Sequence, residues 1–133
     1  MINRIINSID TVNKVIDIVL KGTINMTMNF GKEFRDNDKY GCILNISALY
    51  AETGTSFVVP SAISKSGINN LTKSLSVEWG KYGIRSLAVA PGSIFTKGAF
   101  SRLDPTGEFV KKLNAVNPSG RLGDSAELAN LIT

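Results

Sequence analysis

At 133 residues, 43% of them hydrophobic and 20% charged, the chain has the size and composition of one modest globular domain. Its net charge of +4 tolerates phosphate-bearing ligands but is too mild to argue for nucleic acid. The absence of histidine, with a single cysteine, excludes histidine triads and an internal disulfide, leaves no metal site expected, and points to a reducing compartment.

The first element is a helix. Ile5, Ile9, Val12, Val15, Ile16, Val19 and Leu20 recur at three- and four-residue steps, with Ser8 and Asp10 near the N-cap, and the pattern runs on through Gly22 to Phe34. No apolar run approaches the roughly 20 residues that span a bilayer. The opening segment has no signal-peptide core, and Asp10 and Asp17 argue against a transit peptide. A polar loop, "RDNDKYG", leads to "CILNIS" (42–47), a short β-rich run that reads as a buried strand. Cys42 is expected there as a small buried apolar residue.

A long helix follows Pro60, with Ala62, Leu71, Leu75 and Trp79 on its apolar side and Gly80 and Gly83 at its end. "IRSLAVA" (84–90) is a second buried strand that enters a Pro-Gly turn. "FTKGAFSRLDPTGEF" reads as a polar, mobile stretch. Asp124 or Ser125 then caps a last helix.

Alternation of helices with apolar strands predicts an α/β fold with a parallel sheet covered on both faces. Two strands leave two open edges, and no G-x-G-x-x-G follows a first strand. The pattern is therefore that of the second half of a doubly wound, Rossmann-like domain, without its glycine-rich cofactor loop.

Chemistry concentrates in "LYAETGTSFVVPSAISKSGI" (49–68). Ser61 and Lys65 lie one helical turn apart on a shared face. A lysine aimed at a cleft can bind a ribose hydroxyl and favour ionisation of a nearby phenol. Tyr50 follows a strand at its carboxyl end, where open α/β sheets bind ligands. A phenol there can donate to a developing enolate oxygen. Spacing alone favours the plainer reading, two helix-surface residues and a half-buried loop aromatic. At "APGSIFTKG", the Pro91–Gly92 turn can lay backbone amides against a cofactor, with Thr96 offering a hydroxyl to a phosphate. A plain tight turn fits equally well. Arg102 can clamp a phosphate or stand solvated.

"NIS", "SAISKSGINNLTKSLSVEWGKYGIRSLAVAPGSI" and "GRLGDSAELANL" resemble the C-terminal half of a short-chain dehydrogenase/reductase, over nearly all of the chain. "YAETGTSFVVPSAISK", "EWGKYGIR" and above all "TKGAFSRLDPTG" resemble the mitochondrial 2,4-dienoyl-CoA reductases within that superfamily. Ser61 stands where the superfamily's catalytic tyrosine precedes its lysine, and Ala48 where its catalytic serine falls.

The resemblance implies NADPH as cofactor and reduction of a 2,4-dienoyl-CoA to a 3-enoyl-CoA in mitochondrial β-oxidation, by a homotetramer when complete. Tyr50 is the implied donor to the thioester oxygen as the dienolate forms, Ser61 a support of the site and Lys65 the holder of the nicotinamide ribose. Pro91, Gly92, Ser93 and Ile94 match the cofactor-contacting turn, and Arg102 and Ser8 match contacts to CoA. The family's asparagine in the first helix is replaced in "DIVLKGT", where Lys21 stands; a cation there would repel Lys65 unless it points elsewhere. Other readings are a different enoyl- or oxoacyl-thioester reductase, or a non-enzymatic form that associates with complete subunits through its long helices.

Overall fold

The computed structural model describes residues 8–56, 58–98, 100 and 104–133. They fall into two compact units, Met1–Ala90 and Pro91–Thr133. Ile5 lies outside the described residues.

The first unit begins with one long helical run: α1 (Ile9–Val15), a π-helical stretch (Ile16–Lys21) and α2 (Gly22–Asp36). Ser8 is the N-cap, in extended backbone, and its carbonyl accepts from the N–H groups of Thr11 and Val12. The π-helical stretch has no counterpart in the sequence reading. Its signature is a backbone bond, the N–H of Gly22 reaching the carbonyl of Asp17 five residues back. Side-chain periodicity over six residues cannot distinguish that pitch from an α-helix.

β1 (Gly41–Ile46) and β2 (Ile84–Val89) pair in parallel, Gly41 opposite Ile84 through Ile46 opposite Val89. Side chains alternate across a strand, so Gly41, Ile43 and Asn45 share a face with Ile84, Ser86 and Ala88. This face carries the core, where Leu75, Trp79 and Ile84 pack with Phe34, Ile43 and Leu71. The opposite face holds Cys42, Leu44 and Ile46 beside Arg85, Leu87 and Val89. It is open: Ile46 is 43% and Leu87 44% exposed. Among the described residues of the first unit, the expected cover on both faces is thus present on one only. Cys42, expected buried, is exposed because it points to the open side.

Between the strands lie a one-turn helix, α3 (Tyr50–Thr53), absent from the sequence reading, and α4 (Val59–Trp79) with Pro60 in its first turn. The buried line of α4 is Ser64, Ile68, Thr72, Leu75 and Trp79. Leu75 and Trp79 were expected on it. Ser64 was not, but its hydroxyl is satisfied by the Pro60 carbonyl at 2.8 Å and so tolerates burial. Gly31 of α2 packs under the Trp79 ring so closely that a Cβ there would strike it. A 3-10 turn (Gly80–Tyr82) ends on Gly83, whose φ of 69° favours glycine and brings its backbone against the Tyr40 ring.

In the second unit Ile94 bridges Gly123 in parallel. The stretch read as polar and mobile (95–109) leads into α5 (Glu108–Val116), a helix absent from the sequence reading, and holds Asp104, whose carboxylate accepts from the Val110 N–H at 2.7 Å. α6 (Ser125–Ile132) starts as expected: Asp124 is the N-cap and forms a reciprocal capping box with Glu127. Glu127 also holds Arg121 through two bonds, at 2.6 and 2.8 Å. Those bonds, then the Asp124 N–H, pull the Glu127 carboxyl down to about 2.

Candidate active site

The first unit builds its site where β1 ends. Asn45 is buried on the core face, tied to α2 and α4 by side chains. Thr27 Oγ1 donates to its Oδ1 at 3.4 Å, and its Nδ2 donates to Thr72 Oγ1 at 3.2 Å. The next residue, Ile46, turns its carbonyl toward α4 and accepts from Lys65 Nζ at 2.5 Å. Burial lowers the Lys65 pKa from its ordinary value, since desolvation disfavours the ammonium.

From Ser47 the chain turns through buried Ala48 into α3, which starts at Tyr50. The Tyr50 hydroxyl lies 3.1 Å from Ser61 Oγ, and either group can donate. Tyr50, Ser61 and Lys65 are each half-buried. A phenol and an ammonium thus stand at the carboxyl end of a parallel strand, with a hydroxyl aligning the phenol. Such a set can donate to a developing oxyanion and hold a diol.

Two other expected residues, Ser8 and Lys21, sit elsewhere in the first unit. Ser8 is exposed at the start of α1, its hydroxyl 3.4 Å from that of Thr11. Lys21 is exposed and pairs with Asp17 at 2.6 Å, so its charge is offset by a neighbour on its own helical run. Pro91, Gly92, Ser93, Ile94 and Thr96 belong to the second unit. There the Ser93 carbonyl and the Phe95 N–H are both engaged by Gly123. Thr96 is exposed. Arg102 lies outside the described residues.

Sequence reasoning missed two residues. Asn45 was read only as part of an apolar strand, although an amide inside such a run is a signal of a buried hydrogen-bond pair. Ser66 Oγ donates to the Ala51 carbonyl at 2.5 Å, and nothing in its sequence context announces this.

Residues 4–133 match the family profile described as enoyl-(acyl carrier protein) reductase. The chain belongs to the short-chain dehydrogenase/reductase family. It is 49% identical over 120 residues to a probable (3E)-enoyl-CoA-producing 2,4-dienoyl-CoA reductase of Caenorhabditis elegans, covering 89% of this chain and 39% of that protein. A crystal structure of a short chain dehydrogenase from Bacillus anthracis superposes with a TM-score of 0.82 at 38% identity, covering 94% of this chain and 49% of the other. A putative 2-deoxy-D-gluconate 3-dehydrogenase from Agrobacterium tumefaciens, crystallised with NADP, gives 0.86 at 31% identity, covering 95% and 50%. The chain thus spans half or less of the length of these relatives. The parallel sheet and its flanking helices are a partial Rossmann-like arrangement of this family, and relatives named as dienoyl-CoA reductases support a reductase.

Proposed function

We propose that the protein is an NADPH-dependent 2,4-dienoyl-CoA reductase that forms a 3-enoyl-CoA during mitochondrial oxidation of unsaturated fatty acids. The observation that carries this is the Tyr50–Ser61 contact one helical turn from Lys65, with Ala48 where a second catalytic hydroxyl would stand. A phenol delivered from α3 suits an acceptor oxygen different from a simple ketone's. The C. elegans relative's name points to the same chemistry.

The donor set fits a nicotinamide ribose. Lys65 carries three N–H donors and spends one on Ile46, which leaves capacity for a diol at the sheet's carboxyl edge. When bound, NADPH supplies a hydride to the diene carbon farthest from the thioester. Tyr50 donates its hydroxyl to the thioester oxygen, where the displaced electron pair accumulates. Ser61 holds that hydroxyl in line. A proton from solvent, taken up at the carbon next to the carbonyl as the electron pair returns from the thioester oxygen, then leaves the double bond at the 3-position. By sequence and family resemblance alone, Pro91, Gly92, Ser93, Ile94 and Thr96 are assigned to cofactor binding, and Arg102 and Ser8 to binding of the CoA moiety.

The domain itself is read as partial. Open apolar positions on the sheet, Ile46 and Leu87, support a covering layer that would carry the glycine-rich loop. Exposed Met26, Met28 and Phe30 on α2 support association of long helices in a homotetramer.

The test is NADPH oxidation by the gene product carrying this chain, at its natural length, with a 2,4-dienoyl-CoA and with a 3-oxoacyl thioester. Turnover of the first with a 3-enoyl product supports the proposal. Turnover of the second alone would replace it with an oxoacyl-thioester reductase.

A further inference from the structure

α3 is a single turn of four residues, with no side-chain cap at its N-terminus and Gly54 at its C-cap. A helix this short cannot hold itself, because nucleation is unfavourable and its last carbonyls have no partner within the helix. Yet it carries Tyr50, whose hydroxyl must be placed within a fraction of an ångström for proton donation. The backbone bonds at its ends are Ala51 N–H to Ala48, Glu52 N–H to Leu49 and Gly54 N–H to Tyr50.

What fixes it comes from α4, at two points. Ser61 meets the Tyr50 hydroxyl. Ser66 Oγ donates to the Ala51 carbonyl, the residue after Tyr50, and so satisfies an orphan carbonyl of the short helix. Lys65, next to Ser66, binds the Ile46 carbonyl just upstream. The strand end and α3 are therefore tied to consecutive residues of one rigid helix. Ser66 is on the exposed side and touches none of the reacting groups.

We infer that Ser66 is a positioning residue for the reaction: by pinning the Ala51 carbonyl it sets the distance between the Tyr50 hydroxyl and the acceptor oxygen. This rests on the proposed role of Tyr50. Ser66→Ala removes the tie without removing the phenol, Ser61 or the lysine. The exposed substitution raises helix propensity, so α4 stays folded.

The experiment is a double-mutant cycle in the natural-length protein, with Ser66→Ala, Tyr50→Phe, both together, and Ser66→Thr as rescue. Ser66→Ala is expected to lower kcat about fivefold to tenfold, the worth of one hydrogen bond, with KM for NADPH unchanged. It is expected to speed amide exchange at Gly54, whose N–H bonds Tyr50, and to cost nothing further once Tyr50 is Phe. Ser66→Thr keeps the hydroxyl and restores kcat. An undiminished kcat in Ser66→Ala, or an equal loss with and without the Tyr50 hydroxyl, overturns the inference while the role of Tyr50 stands. A fully active Tyr50→Phe instead overturns the role of Tyr50 on which the inference rests.

Discussion

Ser61 Oγ and the Tyr50 hydroxyl meet at 3.1 Å, joining the first turn of α4 to the one-turn helix that follows β1. The pair is the geometric link between the family's lysine position and a tyrosine that stands outside the usual motif.

Removing the phenol tests the chemistry directly. Tyr50→Phe is expected to lower kcat for dienoyl-CoA reduction by about 10²–10⁴, the range for a positioned acid. Ser61→Ala, which only frees the phenol, is expected to cost about threefold to tenfold. Steady-state kinetics of both variants decides, and near-wild-type turnover in Tyr50→Phe would remove that residue from the mechanism.

Gly31 should tolerate no side chain. A Cβ there collides with the Trp79 ring, which is itself packed against Leu75 and Ile84. Gly31→Ala is expected to destabilise the protein by about 1–3 kcal/mol through overpacking, despite alanine's better helix propensity. A fall in the urea midpoint at constant slope measures it; a rise would mean that the ring swings aside freely.

The open sheet face makes a separate prediction. If a further layer covers Leu87 in the natural-length protein, Leu87→Lys buries an unpaired ammonium and should lower the melting temperature sharply. On a face that stays in water the change should fall within about 0.5 kcal/mol of neutral. We expect the first result; the second would argue against the partial-domain reading.

Glu127 gives a pH signature. Its folded carboxyl titrates at about 2, below the ordinary value of 4.5, chiefly because it accepts from Arg121. A depressed acid contributes stability that is present above the unfolded value and is lost as pH falls toward the folded one. The start of α6 should therefore hold at pH 5 and weaken between about 4.5 and 2. Carboxyl-resolved NMR titration checks the midpoint, and Arg121→Gln should move it upward.

Much of this fold is local and could be read from residues. The strands, read at 42–47 and 84–90 and found at 41–46 and 84–89, the helix behind Pro60, its stop at Gly80 and Gly83, and the Asp124 cap all follow from turn chemistry, β-branched runs and apolar spacing over a few residues. The same short-range reasoning brought Tyr50, Ser61 and Lys65 forward as candidates. It could not see α5, because Glu108–Val116 follows a stretch dominated by turn residues, and the Asp104 bond to Val110 that leads into the helix spans six positions.

Tertiary structure decided the rest. Whether a strand residue is buried depends on what covers each face, so Cys42 and Leu87 came out exposed although their runs are apolar. The Thr27–Asn45–Thr72 line, the Lys65 bond to Ile46 and the Ser66 bond to Ala51 join residues 15 to 27 positions apart. Such bonds form only after a parallel strand pair has been crossed by its helix. One chain segment thus supplies the chemical groups, and the packing of α4 on β1 brings them within reach of each other.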